Sequence, residues 1–330
     1  MNRRVFIAGV AGTLLAAPCS IQAQGAGKVY RIGFLGQGSR SSELADGGDL
    51  PILLRNLRGL GYVEGTNLTI EARFAGGRPE RLTALAAELV QAKPELIVVP
   101  SAGLARTVLQ HTKTIPVVAL HAGELQAEPN VRSLAKPGGN LTGMQIFSPE
   151  TMGKRLQLLQ EVVPRLRRVA VLRGAPFEGP GYELYRDATT SAAAKLGIRV
   201  RFVQFETIDD LNRLFDEMVR EQDQGLLVWS NPHLNGYRKE ILDLMIRHGL
   251  PAITDVRAYP PDLIVYGAKM AAIQREAATY VDRILKGANP GDLPIGQPTT
   301  FELIINLKTA KALGLTIPQS LQLRADEVIQ

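Results

Sequence analysis

Short apolar runs alternate with amphipathic stretches along nearly the whole chain, and this alternation limits the possible folds more than any other feature. We interpret the runs as buried strands, because they are short and end at turn residues. They lie at residues 29–35, 68–74, 96–99, 116–120, 169–172, 199–205, 226–229, 250–254 and 263–265. Strands that alternate with helices are typical of a mostly parallel sheet with helices on both faces.

The stretches between the runs carry the spacing and the end signals of helices. Leu50, Leu53 and Leu57 recur at helical spacing, and Gly61 follows where a helix end needs a flexible residue. Thr207 is predicted to cap another helix, because an acidic residue follows it three positions later.

A glycine-rich segment, Pro137-Gly138-Gly139-Asn140, divides the runs into two sets of about four strands each. The chain has 330 residues, 45% of them hydrophobic, which is enough for two domains with a core each. Open parallel sheets bind ligands at the carboxyl ends of their strands. We therefore expect two α/β lobes with a ligand-binding cleft between them.

The first residues have the layout of a secretory leader. Arg3 and Arg4 precede an apolar run at 5–17, and small residues follow up to Ala23. The run is too short for a permanent membrane span. We expect residues 1–23 to be a signal peptide cleaved near Ala23, with the mature protein in the periplasm. The paired arginines leave the twin-arginine export route open beside the ordinary one.

Cys19, the only cysteine, falls inside this leader. A lipid anchor would need a small residue directly before the cysteine, and Pro18 stands there instead. We expect a mature protein without cysteine, which needs no disulfide in an oxidising compartment.

Composition and motifs argue against several classes of protein. The net charge is +6 and no long basic run occurs, so we expect no nucleic-acid partner. The sequence lacks a phosphate loop, a dinucleotide-binding glycine motif and a nucleophile elbow. Its four histidines have no metal-ligand spacing. We expect neither enzymatic activity nor a cofactor.

The carboxyl-terminal part of the chain carries a family resemblance. It reads REAATYVDRILKGA at 275–288, DLPIGQPT at 292–299, FELIINLKTAKALGLTIP at 301–318 and RADEVI at 324–329. Upstream, GYVEGTNL at 61–68 and PGGNLTG at 137–143 fit the same pattern. These segments closely resemble the ABC-transporter substrate-binding family that includes tryptophan- and tyrosine-type binding proteins.

The resemblance implies a type I periplasmic-binding-protein fold, in which two Rossmann-like lobes with parallel sheets are joined by crossing hinge segments. One lobe would contain 28–143 and 268–297, and the other 144–267 and 298–330, the placement of 298–330 being open. The resemblance further implies a small-molecule ligand in the cleft and ABC permease subunits as partners. We expect a monomer.

The sequence departs from the family pattern at two places. After the fourth run the family shows Asp-Pro, whereas this chain reads Leu120-His121-Ala122-Gly123-Glu124. Tyr266-Gly267 is likewise followed by Ala268 and Lys269 rather than by the usual Pro and Asp. A carboxylate that would face a ligand amine is missing or moved, so an aromatic amino acid is not assured as the ligand.

Residues at the ends of the predicted strands, and Tyr266 at a predicted crossing, are the candidates for ligand contact. The candidates are Gln37, Ser39, Ser101, Gly103, His121, Arg173, Gly174, Ser230, Asn231, Asp255 and Tyr266. Ser101 and Arg173 are expected to face each other around an anionic ligand group, helped by a helix N-terminus after Ser101. Each candidate also has a purely structural interpretation, such as helix capping for Ser101 and Asn231.

Two other functions share this scaffold. One is the effector-binding core of a transcription regulator, which would need a DNA-binding head where this chain has only the leader before Lys28. The other is an α/β enzyme, since a fold does not fix a function.

Overall fold

A computed structural model describes residues 28–174, 180–255 and 263–330. The strands are β1 (Tyr30–Gly36), β2 (Leu68–Phe74), β3 (Leu96–Val99), β4 (Val117–Ala122), β5 (Leu141–Gln145), β6 (Arg168–Gly174), β7 (Arg199–Phe205), β8 (Gly225–Trp229), β9 (Ala252–Thr254), β10 (Ile264–Ala268), β11 (Phe301–Asn306) and β12 (Glu327–Ile329). The helices are α1 (Arg40–Glu43), α2 (Asp49–Gly59), α3 (Leu82–Gln91), α4 (Ala102–Leu109), α5 (Pro149–Val162), α6 (Pro180–Lys195), α7 (Ile208–Arg220), α8 (Pro232–Asn235), α9 (Arg238–His248), α10 (Met270–Leu285), α11 (Leu307–Ala312) and α12 (Gln319–Gln322). The predicted leader lies outside the described residues.

The first lobe is built on a parallel sheet with the strand order β2-β1-β3-β4-β5. Ile32 of β1 pairs with Ile70 of β2 and with Leu96 of β3. Residues of α2 and α10 join one core on this sheet, and residues of α3 and α4 join the core on the other face. Burial on both faces explains why the inner strands β3 and β4 are almost wholly apolar, whereas the edge strand β2 alternates polar and apolar residues.

The second lobe is built on a larger sheet with the order β12-β11-β10-β9-β8-β6-β7. Its pairs are parallel except β10 with β11, which is antiparallel. One core lies between this sheet and helices that include α5 and α6, and the opposite core uses α7 and α9. The fold is therefore the expected α/β arrangement of two lobes with parallel sheets, modified by one antiparallel neighbour.

The prediction of about four strands in each lobe is wrong. Over the described ranges the sheets contain five and seven strands, because β5, β11 and β12 had not been recognised. The residues of β5 follow a glycine-rich turn, and Gly143 within the strand has a φ of +134°. A β-carbon on Gly143 would overlap the backbone of Ala119, so the strand needs glycine at this position. The same glycine makes the sequence of β5 resemble a turn.

Helix α10 returns to the first lobe, and β11 and β12 belong to the second sheet. The chain thus passes between the lobes after β5, after β10 and before β11. Backbone hydrogen bonds tie these passages together: Gln145 N donates to Gly296 O at 2.9 Å, and Lys269 N donates to Thr300 O at 3.0 Å. From the ends of β5 and β10 we propose that the lobes divide near residues 146, 269 and 297.

Across the three described ranges, no helix combines the length and the apolar character needed to cross a bilayer.

Candidate functional site

Residues that follow strands of both sheets come together between the lobes, and we call the space between them the cleft. The floor of the cleft, beside the chain crossings, encloses a small cavity of about 10 Å³, room for about one water molecule. Its walls come from both lobes and from the crossings, and the lining residues are Ile146, Phe147, Arg155, Tyr185, Asp255, Ala268 and Met270. A ligand of amino-acid size that enters there requires the lobes to part.

A buried pair of opposite charges lies at this floor. The side chain of Arg155, on α5, is 5% exposed, and that of Asp255, just after β9, is 9% exposed. A guanidinium nitrogen of Arg155 lies 3.7 Å from Asp255 Oδ2, and Asp255 Oδ1 accepts a hydrogen bond from Ser230 N at 3.3 Å. Buried charges persist in proteins when they are paired in this way.

Aromatic rings cover one side of the cavity. The centre of the Tyr185 ring lies 3.9 Å from the centre of the Phe147 ring and 5.0 Å from that of the Trp229 ring. The guanidinium of Arg173 lies 4.0 Å from the centre of the Tyr182 ring, a cation–π contact. Burial, followed by the negative charges of Glu124 and Asp255, raises the pKa of Tyr185 well above its ordinary value. The Tyr185 hydroxyl therefore keeps its proton and can donate it in a hydrogen bond.

The first lobe contributes a polar cluster around His121 at the end of β4. His121 Nε2 lies 2.7 Å from Asp49 Oδ1 at the start of α2. Burial opposes a charge on His121, but the hydrogen bond to Asp49 and the charges of Asp49 and Glu43 outweigh it and raise the His121 pKa. Glu43 Oε1 accepts a hydrogen bond from Gly38 N at 2.8 Å, which fixes the loop after β1.

Glu124, in the segment after β4, reaches from the first lobe to the second. A β-carbon placed on Gly181, in the first turn of α6, would overlap its carboxylate. Among the described residues, Glu124 Oε2 is buried without a hydrogen-bond partner. Burial, and then the nearby Glu128, raise the Glu124 pKa to about 7, while Arg106 acts in the opposite direction.

Three of the predicted ligand contacts cap helices in this structure. The Ser39 hydroxyl accepts from Ser42 N at 3.1 Å, and the Ser101 hydroxyl accepts from Leu104 N at 3.4 Å. Asn231 Oδ1 accepts from Leu234 N at 2.7 Å, at the start of α8. The structural interpretation therefore accounts for these side chains, and a ligand role for them stays a prediction.

Three further candidates shape the backbone at the cleft. Gln37 follows β1, and its carbonyl accepts from Gly77 N at 2.9 Å. Gly103 is exposed in the first turn of α4. Gly174 ends β6, and its carbonyl accepts from Asn231 Nδ2 at 2.7 Å. A side chain on Gly174 would strike His233, so glycine permits this packing.

The remaining candidates lie in different surroundings. His121 belongs to the polar cluster of the first lobe, Arg173 lies over Tyr182, and Ser230 meets Asp255 at the floor. The ring of Tyr266 instead stacks on Phe301, with 5.9 Å between the ring centres. Both rings line a separate open pocket of about 370 Å³ at the crossings, together with Ser148, Glu150, Thr151, Gln297 and Pro298.

Sequence reasoning did not single out several residues at the cleft. Arg155, Tyr185 and Phe147 line the floor, and Glu124 bridges the lobes. Glu124 lies two residues after the end of β4, a position that could have indicated it, whereas Phe147 lies two residues after β5, a strand that the sequence did not reveal. Arg155 and Tyr185 lie within helices, where a charged or aromatic residue gives no indication that it faces a cleft.

Comparison with known proteins places this architecture in a family. A sequence profile described as ABC transporter substrate binding protein matches residues 52–329. The chain belongs to this family. A family relative, the tyrosine-binding protein of Clostridioides difficile, is 23% identical over 270 residues, which cover 79% of this chain and 75% of the relative.

Solved structures share the fold of this family member. A conserved domain protein from Vibrio cholerae matches with a TM-score of 0.81 at 23% identity, over 91% of this chain and 100% of the other. A domain from Streptococcus pneumoniae in complex with L-Trp matches with a TM-score of 0.81 at 20% identity, over 92% of this chain and 100% of the other. These likenesses establish the type I periplasmic-binding fold.

Proposed function

We propose that this chain is the periplasmic solute-binding component of an ABC importer and that it binds a small, amino-acid-like ligand in the cleft between its lobes. The arrangement at the cleft floor carries this proposal. A buried guanidinium and a buried carboxylate, Arg155 and Asp255, lie beside a group of aromatic rings packed at tilted angles. The family consists of substrate-binding proteins of ABC transporters, which supports delivery to a membrane permease.

The charges of the floor suit a ligand that carries both an anionic and a cationic group. Arg155 donates its Nε–H to the Tyr266 carbonyl. The terminal N–H groups of the same guanidinium suit a ligand carboxylate. Asp255 suits an ammonium group, and the faces of Tyr185 and Trp229 suit an apolar or aromatic side chain. The tyrosine-binding relative and the L-Trp complex support a ligand of this class.

The ligand can be identified without assuming its structure. The protein is purified from the periplasm under native conditions, and native mass spectrometry then detects a co-purified small molecule. Titration calorimetry follows with that compound, with L-Trp and L-Tyr, and with sugars as controls. One bound amino-acid-like molecule per chain supports the proposal. Binding of sugars alone, or of nothing in the panel and no co-purified compound, contradicts it.

The proposed location has its own test. Cell fractionation followed by amino-terminal sequencing should find the mature protein in the periplasm, beginning near Gln24. Full-length protein that starts at Met1 and stays in the cytoplasm would contradict export, whatever the ligand proves to be.

A further inference from the structure

Glu124 presents a carboxyl group of the first lobe to the backbone of the second. The Glu124 side chain lies so close to Gly181 that there is no room for a methyl group on residue 181. Parting of the lobes removes this contact and opens the side chain to water. The environment of Glu124 therefore depends on the position of the lobes.

The closed arrangement suits a protonated Glu124 better than an ionised one. Among the described residues, one carboxyl oxygen is buried with no hydrogen-bond partner, and an unpaired buried charge is costly. Within the described ranges, the charged groups that face Glu124 are Arg106 on α4 and Glu128 in the following segment, and the neutral hydroxyl of Tyr185 faces it from α6.

Among the described residues, the positive charge that faces Glu124 is that of Arg106, and this guanidinium already has a partner. It makes two hydrogen bonds to the Glu128 carboxylate, at 3.0 and 2.7 Å. The side chain of Glu128 is 2% exposed, so the pair is held by the core of the first lobe. Arg106 is therefore not free to neutralise Glu124 when Glu124 ionises.

We propose that Glu124 is a proton-sensitive clasp of the cleft, which lets the lobes close while it is protonated and drives them apart when it ionises. This inference deepens the proposed function, since it concerns the regulation of the same cleft. It would make the capture and release of a ligand depend on the pH outside the inner membrane.

The size of the effect follows from proton linkage. With a pKa of about 7 in the closed form and the ordinary 4.5 in the open form, the ratio of closed to open protein falls roughly tenfold between pH 6 and pH 8.

The distance between the lobes tests the clasp with no ligand present. Cys19 is the only native cysteine, so in a Cys19→Ser background spin labels can be placed at Glu80→Cys in the first lobe and Glu240→Cys in the second. Both positions are exposed. Pulsed electron–electron double resonance at pH 6 and pH 8 then measures the distances between the labels, which give the closed and open populations.

Three substitutions test whether Glu124 causes the pH dependence of the closed population. Glu124→Gln keeps the shape without a charge and should abolish the pH dependence. Gly181→Ala adds a methyl group that overlaps Glu124 and should lower the closed population even at pH 6, while alanine still suits the helix. Gly59→Ala, at the end of α2 in open space, is the matched control and should behave as the parent.

A closed population that does not change with pH in the parent would overturn the proposal. A pH dependence that survives Glu124→Gln would also overturn it, because another group, such as His121, would then be responsible. Either result leaves the ligand-binding proposal untouched, since no ligand enters the experiment.

Discussion

Arg155 Nε donates a hydrogen bond to the backbone carbonyl of Tyr266 across 2.9 Å, which joins the first helix of the second lobe to the strand that leads into a chain crossing. The same guanidinium lies beside Asp255 at the cleft floor. One side chain thus supports a crossing and a wall of the candidate site together.

Removal of the Arg155 guanidinium is expected to destabilise the protein strongly. Arg155→Met leaves Asp255 buried without its countercharge, and breaking a buried ion pair in this way costs about 3–5 kcal/mol. Urea unfolding measures the change in the free energy of unfolding. Arg55→Ala is the control, because the Arg55–Asp46 pair is 63% and 95% exposed and such surface pairs contribute less than about 1 kcal/mol. Equal losses in the two variants would contradict the account of the floor.

Alanine substitutions at Ser101 and Arg173 distinguish a helix-capping role from a ligand-binding role. Ser101→Ala removes the cap of α4 and should lower the free energy of unfolding by about 1 kcal/mol. If the pair holds an anionic ligand group, Arg173→Ala should weaken ligand binding by about 2–5 kcal/mol and Ser101→Ala by less. Calorimetry with the identified ligand measures the binding part. If both variants bind the ligand as tightly as the parent, no anion site is formed by Ser101 and Arg173.

The ionisation of His121 should depend on Asp49. In the parent the hydrogen bond to Asp49 helps to raise the His121 pKa, so Asp49→Asn should lower that pKa. Because the pKa is raised on folding, this contribution to stability is present below the pKa of the unfolded chain and is lost as the pH rises through the folded value. NMR titration of the imidazole measures the pKa in both proteins. A parent pKa no higher than that of the variant would refute the pairing.

A methyl group at Gly143 should damage the centre of the first lobe. Gly143→Ala forces a side chain into a φ of +134° and against the Ala119 backbone, so we expect a large loss of stability. Gly61→Ala is the control, since its φ of +93° is also unfavourable but its surroundings are open. Thermal unfolding should show a much larger fall in Tm for Gly143→Ala. Similar falls would mean that the close approach of β5 to β4 contributes little.

The sequence was informative where a strand is buried on both faces. The range predicted for β3 agrees with the structure because its unbroken apolar run, buried at every residue, leaves little choice of element. The ranges of β2 and β7 also agree, although these are edge strands in which polar residues alternate with apolar ones. The strand β5 was missed because its glycine serves a close strand contact, and β12 because it is only three residues long. Short strands depend on their neighbours for pairing, which a local pattern cannot reveal.

The candidate site was less predictable than the fold. Strand ends could be located, and this placed Ser230 and Asp255 at the cleft edge, where they meet at 3.3 Å. A strand end does not reveal whether the polar side chain after it turns towards a ligand or caps its own helix, as Ser101 caps α4. Arg155 and Tyr185 reach the floor through the packing of α5 and α6, and this arises only when the lobe is assembled.

The radius of gyration, measured by small-angle X-ray scattering with and without the co-purified ligand, shows whether the ligand binds between the lobes. A ligand held between two lobes binds the closed arrangement better and shifts the population towards it. We expect a smaller radius of gyration when the protein is saturated with ligand. A radius that stays the same while calorimetry shows one ligand bound per chain would contradict binding in the cleft between the lobes.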